Sequence, residues 1–134
     1  MTNVKQTLLA TFIASLMLFS TSSAEELSTY DVLRASCLGG QPDKCGDLGD
    51  FFLTGGGEDL PDIFGAVKWY RIGCKKKDAT SCVKMGESRY LGRGIQKDPE
   101  RGFGCYKKAC EYGDKKACKM VKNSPDGKTL GSID

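Results

Sequence analysis

The 134-residue chain contains no histidine. That absence removes the side chain that most often moves protons near neutral pH. It also removes every Ser-His-Asp or Cys-His nucleophile arrangement. No stretch alternates apolar and polar residues in the manner of a half-buried strand. Beyond the first two dozen residues no apolar run approaches the length that spans a bilayer. No phosphate-cradling loop is present either. Gly55 to Gly57 is glycine-rich, but it follows a helical pattern rather than a strand and lacks the accompanying lysine. No cysteine falls within the first 36 residues, so the usual lipid attachment point is missing.

The leading segment, 1–24, has the form of a secretory signal peptide. Lys5 supplies the positive charge, Thr7 to Phe19 the apolar run, and Ser22-Ser23-Ala24 the small-residue cleavage site, so Glu25 is the expected first residue of the mature protein. An uncleaved anchor is the competing reading, and the run is short for one. Export to the periplasm or beyond suits the cysteine usage, because regularly spaced cysteines in a small exported chain form disulfide frameworks.

Six of the seven cysteines fall into three pairs, Cys37 with Cys45, Cys74 with Cys82 and Cys110 with Cys118, each eight positions apart. A straight helix would hold such residues about 12 Å apart. A disulfide needs Cα atoms roughly 4.4–6.8 Å apart. If the pairs are bonded, the chain doubles back between them. Zinc is the alternative, but without histidine and with these long spacings the pattern departs from usual zinc sites.

The pairs recur with steps of 37 and 36 residues, and other residues keep the register. Leu48-Gly49 matches Met85-Gly86, Gly55-x-Gly57 matches Gly92-x-Gly94, Asp62 matches Asp98, and Tyr70 matches Tyr106. Within each repeat the apolar spacing is helical: Cys45, Leu48, Phe52 and Leu53 share one face, and so do Val67, Tyr70 and Cys74. Asp62, Asp78, Asp98 and Asp114 are placed as N-caps, Pro99 as a first helical residue, and Pro42 as the opening of another helix. The expected helices are 27–38, 42–54, 62–75, 79–91, 98–111 and 115–122. Residues 25–122 thus form a half-repeat, two full repeats and a closing half-repeat, and 123–134 reads as a mobile tail. The expected fold is an all-α, α/α superhelical stack with disulfide-stapled helix pairs. So few repeats bury little surface, which makes the bonds a main source of stability.

Charge is unevenly spread. Residues 25–67 hold 2 basic and 9 acidic side chains, whereas 68–134 hold 17 basic and 8 acidic. Lys75-Lys76-Lys77, Lys107-Lys108, Lys115-Lys116, Lys119 and Lys122 gather around the later reversals. They solvate helix faces or meet an acidic partner or anionic surface. Nucleic acid is not an expected partner outside the cell. Phe51, Phe52, Trp69, Tyr70, Tyr90, Phe103 and Tyr106 are expected mainly in the core, with one or two reaching the surface as anchors.

Leu48-Gly49-x-x-Phe52-x-x-Gly55-x-Gly57, Met85-Gly86 through Gly92-x-Gly94-Ile95, Asp98, and Tyr106-Lys107-Lys108-Ala109-Cys110 with Gly113-Asp114 carry a resemblance. They resemble the Sel-1-like repeat family, relatives of the tetratricopeptide repeats, and most of all its Helicobacter cysteine-rich type. The resemblance spans residues 27–122. It implies an α/α superhelix with a concave groove, bonds within each cysteine pair, and export. It further implies either penicillin binding with weak β-lactam hydrolysis or an adaptor role in periplasmic assemblies. Three positions depart from the family pattern: Arg89 stands where an aromatic is usual, Gly102 replaces alanine, and Cys105 occupies the place held by Trp69 one repeat earlier.

One tetrad could serve β-lactam chemistry. Ser81-Cys82-Val83-Lys84 matches the Ser-x-x-Lys signature, in which lysine takes the serine proton. Its Ser-Asp-Asn and Lys-Thr-Gly companions are missing, and lysine is common enough here for a chance match. Glu58-Asp59 could work as an acid pair but stands without other catalytic groups. No cofactor is implied. The expected function is recognition of a protein or cell-envelope ligand. Cys105, left over if the pairs close, is expected either buried like Trp69 or in an intermolecular bond.

Overall fold

The computed structural model describes residues 27–56 and 60–130, and among them every regular element is an α-helix. In chain order these are α1 (Thr29–Leu38), α2 (Asp43–Leu53), α3 (Ile63–Lys75), α4 (Ala79–Leu91), α5 (Pro99–Glu111) and α6 (Lys115–Lys122). Two of the six, α4 and α6, have the bounds expected from sequence. The others lose a residue or two at their ends, because Ser28, Pro42, Thr54, Asp62 and Asp98 stand outside as caps. The four aspartates act as anticipated. Asp62 accepts from the Gly65 N–H at 2.9 Å, Asp78 from Ser81 at 2.7 Å, Asp98 from Arg101 at 2.9 Å and Asp114 from Ala117 at 2.6 Å. Pro42 sits at the start of α2 without a side-chain cap bond.

Three equivalent reversals join α1 to α2, α3 to α4 and α5 to α6. In each, one residue takes a left-handed backbone: Gly40 (φ 108°), Lys77 (φ 70°) and Gly113 (φ 102°). The next N–H then returns to a carbonyl five residues back: Gln41 to Ser36, Asp78 to Gly73, Asp114 to Ala109, at 2.9–3.1 Å. This is the Schellman closure, which satisfies carbonyls at a helix end while turning the chain. Asp78 and Asp114 therefore finish one helix and cap the next. The turn brings the cysteine Cα atoms to 4.8, 4.4 and 4.5 Å for Cys37–Cys45, Cys74–Cys82 and Cys110–Cys118, and all three pairs are bonded. Their thiolates are consequently not available to zinc.

Each helix packs chiefly on its chain neighbours, while α2 also touches α4 and α3 touches α5, as stacked repeats require. The core runs along the stack in three successive clusters. The first holds Cys37, Cys45, Leu48 and Trp69, the second Ala66, Val67, Tyr70 and Met85, and the third Cys74, Cys82, Tyr106, Ala109 and Ala117. The recurring Leu-Gly and Met-Gly pairs now have a reason. A Cβ at Gly49 would overlap the Tyr70 ring, and one at Gly86 would lie 2.8 Å from that of Tyr106. Glycine at those points lets a tyrosine from the next helix settle against bare backbone.

Residues 123–130, read from sequence as the beginning of a tail, make a turn against the last helices. Asp126 accepts from the Lys128 and Thr129 N–H groups at 2.8 and 2.7 Å, which holds its carboxyl down at about 2. Leu130 donates its N–H to the Tyr90 hydroxyl at 3.1 Å and packs on the third cluster. The signal segment, Glu58-Asp59 and residues 131–134 lie outside the described residues. No described helix is long and apolar enough to cross a membrane.

Candidate functional site

Ser81 and Lys84 belong to the same face of α4, but the structure does not bring them together for catalysis. Ser81 is fully buried, and its Oγ has no hydrogen-bond partner. It is wedged where α2, α3 and α4 converge: a Cβ at Gly73 would come within 2.7 Å of the Ser81 Cβ, and one at Gly46 within 3.0 Å of its Oγ. A substrate carbonyl has no route to that oxygen. Lys84 points elsewhere. Its ammonium pairs with both carboxylate oxygens of Asp50 and lies 5.4 Å from the centre of the Tyr70 ring. Tyr70 in turn donates its hydroxyl to Asp50 at 2.6 Å. Burial, then that bond, pushes the Tyr70 phenol well above its ordinary range. The lysine is thus one corner of a tie across α2, α3 and α4 rather than a base beside a serine. The Ser-x-x-Lys match, a weak candidate without its companion motifs, gains no support from this placement.

A different set converges at the second repeat. Arg71 from α3, Arg89 from α4 and Arg101 from α5 line one cavity of about 460 Å³ together with Ile95, Gln96 and Asp98. Asp98 holds the Arg101 Nε at 3.3 Å while capping α5 through its other oxygen. Among the described residues neither Arg71 nor Arg89 has a carboxylate partner.

The first repeat differs at this place. In the repeat register Arg89 corresponds to Phe52 and Cys105 to Trp69. Phe52 meets Tyr30 edge-on at 6.0 Å and Phe51 at 5.9 Å, and both Phe52 and Trp69 join the first core cluster. Arg89 thus puts a charge on the cavity wall where the first repeat has a ring, while Cys105 packs on the neighbouring core cluster. Sequence reasoning noted Arg89 as a departure and missed the cavity whose wall it forms.

Cys105 is the free cysteine among the described residues, half-buried against the cluster of Ala66, Val67, Tyr70 and Met85. Burial pushes its thiol up, and the Arg89 and Lys108 charges offset part of that rise. It occupies the register position of Trp69 but is less deeply buried than that ring. No three metal-ligating side chains gather among the described residues.

Of the aromatics expected inside, Trp69, Tyr70, Phe103 and Tyr106 are buried, while Phe51, Phe52 and Tyr90 are half-buried. Among the described residues the aromatic that surfaces is Phe64, 76% exposed, which sequence reasoning did not single out. It lies seven residues before Arg71 on α3, so both project from one stripe about 10 Å apart along the axis. Leu60 and Ile63 are exposed beside it.

The Sel1 repeat model matches residues 45–78 and 79–114. Among solved structures, the chain is similar to the Helicobacter pylori cysteine rich protein B, with 27% identity, a TM-score of 0.64 and 82% of each chain covered. It is also similar in fold to a Sel1 repeat protein from Oxalobacter formigenes, at 24% identity and a TM-score of 0.61, covering 78% of this chain and 43% of that one. A protective antigen present in uropathogenic Escherichia coli strains, displaying an SLR fold, aligns at 24% identity and a TM-score of 0.59, over 69% of this chain and 20% of the antigen. No curated protein matches the chain.

Proposed function

Because the chain belongs to the Sel1 repeat family, we propose that it is an exported recognition module that holds a protein partner in the cell envelope on its helical surface. The observation that carries this reading is the α3 stripe, where an almost fully exposed Phe64 and an unpaired Arg71 stand on a helix that two neighbours hold rigid. Aromatic and arginine side chains on a fixed scaffold are the anchors that dominate protein interfaces, since they offer large contact area and directional donors. Three disulfides and the leading apolar segment support export. No observation favours the β-lactam alternative, because Ser81 is sealed and Lys84 is engaged by Asp50.

Crosslinking capture from envelope extract tests the reading, using oxidised full chain as bait. The wild type should retain a discrete partner that Phe64→Ala releases. Capture of nothing, or of the same material by Phe64→Ala, counts against it.

A further inference from the structure

The arginine-lined cavity has a chemistry of its own, and its ligand class follows from its walls. Two guanidiniums without acidic partners and a third shared with Asp98 surround about 460 Å³ of open space. Arg71 and Arg89 line the same cavity without a carboxylate to hold them, Arg89 sharing one donor with the Cys105 thiol, and planar guanidinium forks match carboxylate or phosphate oxygens two at a time. The lining also includes the apolar side of Ile95 and the amide of Gln96, and it retains the Asp98 carboxylate in its wall.

We propose that this cavity binds an acidic peptide segment of a protein partner by seating a glutamate or aspartate side chain between Arg71 and Arg89. The assignment rests on the protein-recognition reading above and names the partner's chemistry. A carboxylate presents two oxygens, one to each guanidinium, and its single negative charge is more than compensated by the pair. A densely charged phosphate chain would bring several charges against Asp98, whose carboxylate repels them. Ile95 offers an apolar wall to the methylene stem of a glutamate, and Gln96 offers donors and an acceptor to the peptide backbone. The site is specific to the second repeat. In the first repeat Phe52 stands where Arg89 would be and Gly65 where Arg101 would be, so two of the three arginines have no counterpart there.

The test uses oxidised full chain and a fluorescein-labelled, end-blocked hexaglutamate peptide, read by fluorescence anisotropy. Arg71→Gln and Arg89→Gln should each weaken binding about tenfold, the cost of one charge-assisted contact, while Lys119→Gln on α6 should leave it within about twofold. An all-glutamine peptide should not bind. Circular dichroism and melting should match the wild type for Arg71→Gln, whose side chain is exposed and without a partner. Equal weakening by Lys119→Gln would reduce the effect to the general basic field and overturn the proposal. So would tripolyphosphate displacing the peptide more strongly than unlabelled hexaglutamate, or no binding up to about 1 mM peptide. Partner capture that depends on Phe64 but survives Arg89→Gln would leave the recognition reading standing and remove this pocket assignment alone.

Discussion

Lys77 is the one non-glycine residue with positive φ among those described. Its counterparts in the other two reversals, Gly40 and Gly113, carry no Cβ and adopt the left-handed backbone without a clash. The turn nonetheless forms at Lys77, because the Schellman bond from Asp78 to Gly73 and the Cys74–Cys82 bond hold it from both sides. Lys77 therefore carries strain that glycine would relieve. Lys77→Gly should raise the stability of the oxidised protein by about 1 kcal/mol, read as a higher urea midpoint with an unchanged slope. The position was legible in the sequence as the third residue after each first cysteine, since the period sets Lys77 beside Gly40 and Gly113. Its strain was not legible, because lysine only becomes awkward once the turn geometry is known.

Helices met the sequence expectation closely because their signals are local. Aspartate caps, the Asp98-Pro99 start and the glycine ends act within a single turn of chain. Contacts between helices were less visible. The Asp50, Tyr70 and Lys84 tie joins residues 20 and 34 positions apart, and no short motif announces it. It links α2, α3 and α4 at a point where Gly49 has already let Tyr70 approach. Asp50→Asn should cost about 1 kcal/mol, since the Lys84 and Asp50 side chains are 29% and 48% exposed and water screens the pair. Tyr70→Phe with Asp50→Asn should cost less than the two changes summed, which a double-mutant cycle by chemical denaturation measures. The arginine cavity escaped notice for the same reason. Arg71, Arg89 and Arg101 come from three helices, and only their crossing assembles them. The signal that could have found it is the pair of arginines, Arg89 and Arg101, standing where the first repeat has Phe52 and Gly65.

At the scale of the molecule, three short cross-links stand in for a large core. Closing a loop of about nine residues stabilises by about 2.5 kcal/mol in the chain-entropy model. Three such closures together approach the roughly 5–15 kcal/mol net stability of a small domain. Excess dithiothreitol should therefore abolish the cooperative thermal transition and most of the far-ultraviolet helix signal. A reduced chain that melts as the oxidised one does would show that burial alone suffices. The charge asymmetry read from sequence persists along the stack: α6 presents Lys115, Lys116, Lys119 and Lys122 at one end, while α2 carries Asp43, Asp47 and Asp50 toward the other.

Each sulfur bridge joins a cysteine to the very next one that enters a pair, never to a more distant one. A chain emerging amino end first into an oxidising space would meet its correct partners in order, each before the following pair arrives. The lone exception in that queue, Cys105, comes after two pairs have closed and is shielded against the middle of the stack. Correct wiring then needs little reshuffling, and duplicating one repeat would import a complete bridge without disturbing those already made.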